Sequence, residues 1–185
     1  MKTNHPTGRK WTVLFLALIC SMSMMNAQEV EETETEEGRH MVGALIGHAL
    51  VFKGFRDGER RSIYVPSFAL QYNYELAEKW AIGFHVDALI ETFVIEDPDG
   101  LELERERPVA TIVVAGYDVA KRFAIILGGG VEWEKNENFP MIRFGAEYGH
   151  PLGDKGFEFV GTLNGDLLIG GYSTLNFGLG VAKVF

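Results

Sequence analysis

His85, Asp87 and Glu91 stand at odd positions of the stretch Trp80 to Glu96, W-A-I-G-F-H-V-D-A-L-I-E-T-F-V-I-E. An imidazole near two carboxylates can transfer protons, hold a cation or form a buried ionic network. Residues two apart on a strand share a face but lie roughly 7 Å apart by the strand rise. That is far for two ligands of one ion, so a metal site drawn from this strand is not expected. Nucleophilic catalysis has raw material in Ser62, Ser67, Ser173, His48, His85 and His150. None of them lies in a recognisable nucleophile motif, and no triad converges. The expectation is a protein that is not an enzyme and carries no cofactor or metal.

The element that holds these groups is legible in the same stretch. Its even positions, Trp80, Ile82, Phe84, Val86, Ala88, Ile90 and Val94, form an apolar row, while the odd positions carry the ionisable groups. The segment is longer than a usual strand and recurs in variant form, which points to a sheet closed in a lipid bilayer. No run of eighteen apolar residues follows residue 30, so a helical span is not expected. With 185 residues, the chain has room for one closed sheet and little more. Its formal charge of −9 makes nucleic acid an improbable partner.

Residues 1–27 read as a signal peptide: Lys2, Arg9 and Lys10 precede an apolar run from Trp11 to Met25, with Asn26-Ala27 as the cleavage end. A lipid anchor on Cys20 is the lesser reading, because Ile19 stands where a small residue is wanted. Residues 28–38 carry E-V-E-E-T-E-T-E-E and read as an acidic, disordered tail. Residues 39–185 then supply eight candidate strands. The first, His40 to Lys53, has two poorly distinguished faces and can be assigned to neither lumen nor lipid. Asp97-Pro98-Asp99-Gly100 is a strong turn signal. With Pro98 and Asp99 as the loop, Trp80 faces Tyr117, Phe84 faces Val113, Val86 faces Thr111 and His85 faces Ile112. Leu101 to Arg107 is too charged for lipid and extends this hairpin beyond the bilayer, with Pro108 interrupting the ladder. The lumen is expected to hold an ionic network of His85, Asp87, Glu91, Glu132, Arg143, Glu147 and Asp166, in which Arg143 is the single mid-barrel base. Tyr64, Tyr72, Tyr74, Trp80, Tyr117, Trp133 and Tyr148 are expected to form aromatic girdles at the interfaces.

A leader, about eight amphipathic strands and a chain ending F-G-L-G-V-A-K-V-F resemble the small eight-stranded outer-membrane β-barrels of Gram-negative bacteria, the OmpA/OmpX-type, porin-like family. The resemblance implies an eight-stranded antiparallel transmembrane β-barrel with short periplasmic turns, surrounded by outer-membrane lipid. It also implies that Phe177, Leu179, Val181 and Phe185 form the C-terminal signal read by the barrel-insertion machinery; Lys183 departs from that pattern. Eight strands enclose a space just wide enough for side chains to fill, so a sealed lumen is expected, with action through structure or exposed loops. A narrow porin-like channel for small cationic solutes is the alternative. A soluble ligand-carrying barrel would invert the pattern, apolar inside and polar outside; the aromatic rows and terminal Phe185 favour the membrane. No residue pattern names a ligand.

Overall fold

The computed structural model describes residues 39–185 apart from 53, 57–58 and 97–99; the expected signal peptide, the acidic tail and the tip of the Asp97-Pro98-Asp99 turn lie outside the described residues. The described chain forms β1 (His40–Val51), β2 (Gly54–Arg56), β3 (Glu59–Arg60), β4 (Ile63–Ala77), β5 (Trp80–Leu89), β6 (Thr92–Glu96), β7 (Glu102–Glu106), β8 (Val109–Ala120), β9 (Phe123–Trp133), β10 (Phe139–Pro151), β11 (Phe157–Leu168) and β12 (Ser173–Val184). Eight of these close into an antiparallel barrel in the order β1-β12-β11-β10-β9-β8-β5-β4, and β3-β2-β6-β7 form a small second sheet. Closure leaves the barrel strands no free edge.

The period-two pattern sets which side chains meet the exterior. Val42, Ile46, Leu70, Phe84, Val113, Leu127, Phe144, Leu163 and Phe177, drawn from all eight barrel strands, are exposed around the outside. A continuous apolar exterior over a partly charged interior is the arrangement that a bilayer, not water, solvates favourably. In β1 the odd residues Leu45, Ala49 and Val51 are buried and the even ones face out, which resolves the ambiguous strand and puts His48 on the exterior.

The predicted pairing across the β5–β8 hairpin holds: Trp80 faces Tyr117, Phe84 faces Val113, His85 faces Ile112 and Val86 faces Thr111. The single long strand expected over Trp80 to Glu96 is instead two. β5 stops at Leu89, whose N–H donates to the Pro108 carbonyl, and β6 restarts at Thr92 with its register to β7 moved by one residue. Pro108 offers no N–H to the ladder, and Arg107 beside it takes a positive φ of 44°, so pairing breaks and resumes out of step. Glu91 falls in this break and is exposed. Its assignment to the lumen is therefore corrected.

The hairpin end of the barrel encloses an apolar cluster. Phe93 and Ile95 of β6 turn back over the mouth and pack with Val51, Val65, Ile112, Phe139, Met141 and Tyr172 in one buried cluster. The opposite end carries the three turns β4–β5, β8–β9 and β10–β11 and both ends of the barrel sheet.

Candidate functional site: the barrel lumen

Four inward groups meet at mid-height because cross-strand register and barrel closure bring them together. Arg143 on β10 lies directly opposite Asp166 on β11. Its Nε and Nη2 donate to the two carboxylate oxygens of Asp166, each at 2.7 Å, in the planar fork geometry that guanidinium suits. Nη2 also donates to Asp87 Oδ2 on β5, three strands away around the barrel, so the ion pair crosses the lumen. Asn176 on β12 donates to Asp166 Oδ2 at 2.6 Å and to Thr174 Oγ1 at 3.0 Å, which fixes the acid from a fourth strand. Arg143 and Asp166 are both buried. Such a pair is stable only while every partner stays in place.

The next layer toward the turn end also bridges the lumen. Gln71 Nε2 on β4 donates to Glu147 on β10 at 3.3 Å, linking strands diametrically opposed in the barrel. His85, 0 % exposed, places Nε2 3.0 Å from Asn73 Oδ1, a carbonyl that accepts from it. Gly83 makes this contact possible, because a Cβ there would sit 2.0 Å from Asn73 Oδ1 and 3.0 Å from His85 Nε2. His85 thus belongs to a separate hydrogen-bonded pair and makes no direct bond to the Arg143 cluster.

Glu132 belongs to a third cluster, at the hairpin end, built around a base that sequence reasoning put outside. Arg105 on β7 is 0 % exposed and donates to Glu132 Oε1 at 2.6 Å and to the Glu137 carbonyl at 2.6 Å; it lies 3.4 Å from Glu134 Oε2 and 4.6 Å from the centre of the Phe139 ring. Tyr172 donates to the Glu132 carboxylate at 2.7 Å and sets its ring edge-on to Phe93 and Phe139. Burial, then the adjacent Glu132 carboxylate, push the Tyr172 phenol well above its ordinary value, so it remains a donor. Burial works against charge on Glu134, but the backbone N–H groups of Asn136 and Glu106, with Arg105 beside them, outweigh it and hold this carboxyl below the ordinary carboxylate range. The cluster clasps the β6–β7 hairpin onto the barrel mouth.

These clusters divide the interior unequally. A small cavity of about 40 Å³ runs past the Arg143 level, lined by Asp87, Glu132, Asn164 and Asp166 among others. On the turn side a vestibule of about 340 Å³ opens outward past Glu75, Asp118 and Glu158. Among the described residues no group of three or more His, Cys, Asp or Glu is placed to hold a metal ion.

The predicted girdle residues sit at the two ends of the exterior. Tyr64 and Trp133 lie toward the hairpin end, where Trp133 Nε1 donates to Thr111 Oγ1 at 2.8 Å. Toward the turn end Trp80 packs on Tyr117 at 4.9 Å, Phe123 on Tyr148 at 4.9 Å, and His40 between Tyr72 and Tyr74. Phe177, Leu179, Val181 and Phe185 are exposed on the outer face of β12 and its end. Lys183 folds its ammonium over the Phe157 and Phe185 rings, at 5.1 and 5.5 Å from their centres, and donates to the Lys155 carbonyl.

No family model matches the chain, and no curated protein matches it. Among solved structures, the chain is similar to Ail, the attachment invasion locus protein of Yersinia pestis, in complex with the heparin analogue sucrose octasulfate, at a TM-score of 0.53 and 13% identity over 80% of this chain and 99% of that one. A second structure of Ail gives 0.50 and 12% over 80% and 99%. The outer membrane protein OprG from Pseudomonas aeruginosa gives 0.49 and 10% over 80% and 96%. With its closed eight-stranded sheet and apolar exterior, this chain has the fold of the small outer-membrane β-barrels.

Proposed function

We infer that the protein is a non-enzymatic barrel of the Gram-negative outer membrane with a sealed lumen, acting as a structural component of the envelope or through its exposed hairpins. The observation that carries this reading is the Arg143 clamp, a buried guanidinium held from β5 and β11 across the lumen. The Arg105 clasp above it supports a second closure. In this reading the short turns and the acidic tail face the periplasm, and the 54–61 and 96–108 connections face outside. The exposed Phe177, Leu179, Val181 and Phe185 row supports recognition by the barrel-insertion machinery.

The outer hairpin has its own electrostatic character. Glu102, Glu104 and Glu106 are exposed along one face of β7, while Arg105 turns in and Arg60 is bonded to Glu96. Such a surface repels a sulfated polyanion of the kind bound to Ail and suits a cationic partner. The second reading, a narrow channel for small cationic solutes, is favoured by the vestibule acids Glu75, Asp118, Glu147 and Glu158 and requires the Arg143 clamp to open. Vesicles carrying the refolded barrel and suspended in isotonic small-cation salts separate the two. A swelling rate equal to that of empty vesicles is expected; rapid, size-limited swelling would favour the channel.

A further inference from the structure

The vestibule at the turn end is a cavity that the chain keeps open. Several of its inward positions are small: Ala81 and Gly83 on β5, Gly116 on β8, Ala124 on β9 and Gly149 on β10. At mid-barrel, glycine is a steric necessity, since a Cβ at Gly130 would lie 2.0 Å from the Thr111 carbonyl oxygen and one at Gly180 would lie 2.1 Å from that of Ala44. Gly116 differs. A Cβ there meets nothing closer than 3.8 Å, so space exists for a side chain that the sequence does not supply. About 340 Å³ results, at the small end of the range of ligand pockets, about 300–1,000 Å³.

The walls and floor define what would fit. Met41, Val114, Ile126 and Val160 make an apolar belt, and the far end is closed by the Asn73 and Glu147 layer. The deepest acidic side chain in the cavity is Glu147, whose carboxyl receives one long hydrogen bond, from Gln71. Nε and Nη2 of Arg143 are bonded to Asp87 and Asp166, and no hydrogen bond joins this guanidinium to Glu147. At the rim Arg39 is bonded to Glu75 through Nε and Nη2, each at 2.8 Å, and Asp118 and Glu158 add further acidic groups, with Lys121 and Arg122 on the adjoining turn. A weakly partnered carboxylate at the end of an apolar tube favours a cationic donor over water or an anion.

We propose that the vestibule binds a small amphiphilic primary amine, its ammonium on Glu147 and its apolar body against Met41, Val114, Ile126 and Val160. Binding needs the cavity and its acid, and does not require the lumen to be sealed, so it stands or falls separately from the conductance of the barrel. The test titrates n-hexylamine, n-hexanol and hexanoate into the folded protein in lipid nanodiscs and follows the amide resonances of Ala81, Gly116 and Ala124, with those of the lipid-facing Leu127 as the partitioning control. Saturable shifts confined to the vestibule are expected for the amine, at least tenfold tighter than for the alcohol and absent for the carboxylate. Glu147→Gln should reduce the amine to the alcohol's affinity, and Gly116→Leu should abolish both; Ala124→Leu replaces the latter if it does not fold. Absence of saturable shifts in the wild-type barrel, equal affinity for all three probes, or undiminished amine binding by E147Q would overturn the proposal.

Discussion

Replacing Arg143 by Ala should destabilise the barrel more than any other single lumen substitution. The side chain donates three hydrogen bonds to two carboxylates, and its removal leaves Asp87 and Asp166 inside the lumen without their cation. Removing one partner of a buried ion pair costs about 3–5 kcal/mol, chiefly because the abandoned charge stays buried. Asn176 still holds Asp166, which favours the lower part of that range. With an m-value of about 2 kcal/mol/M in urea, the midpoint should fall by roughly 1.5–2.5 M. The assay is urea unfolding in lipid vesicles, read by heat-modifiable gel migration. Arg143→Lys keeps the charge but loses the fork, so about 1–2 kcal/mol is expected. Replacing Arg143, Asp87 and Asp166 together by Met, Leu and Leu should recover most of the loss, since an apolar set of similar volume is often neutral. A midpoint for Arg143→Ala within about 0.25 M of wild type, about 0.5 kcal/mol, would refute the clamp; a pore lining open to water would behave that way.

Gly83→Ala should cost about 1–3 kcal/mol by driving Asn73 off His85, measured as an earlier loss of the compact gel band on heating. Tyr172→Phe removes the donor that shares Glu132 with Arg105 and should cost about 1–3 kcal/mol, with faster amide exchange concentrated in β6 and β7. Because the Glu134 carboxyl is held below its ordinary range in the folded protein, its contribution is present at neutral pH and is lost as pH falls through that lowered value. Protection of the Glu106 amide, corrected for intrinsic rates, should therefore be flat across the neutral range and drop only in acid, and Glu134→Gln should show reduced protection at neutral pH without the acid step.

The barrel itself was legible because a strand of period two in lipid has one apolar face, and every barrel strand from β4 onward shows it. The β5–β8 register agrees with the one read from a Pro98-Asp99 loop only because the break at Pro108 restores it, since β6 and β7 pair one residue out of step. Strand parity placed Arg143, Asp87 and Asp166 inside, and Asp87 is the one expected clamp partner that Arg143 bonds; Asp166 takes the place of Glu91 and Glu147 because it lies directly opposite Arg143 on β11. Glu91 was misplaced because parity carries on through a strand break that only the opposing Pro108 and the positive φ of Arg107 reveal. Arg105 was missed because the run L-E-L-E-R-E-R reads as solvated charge. Its parity with Leu103 was the available signal, placing it on the face that packs over the mouth. Tyr172 sits just after a glycine pair and carries no period of its own; its role depends on Glu132 arriving from β9, a long-range contact. β1 stayed ambiguous because Gly43, Gly47 and Ala49 blur its inward face.

The central claim is that side chains close this barrel at mid-height, and single-channel recording of the refolded wild-type protein in a planar bilayer tests it most directly. The Arg143 clamp predicts a heat-modifiable, folded protein that stays electrically silent at either polarity. Discrete, cation-selective current steps from the same folded sample would contradict it.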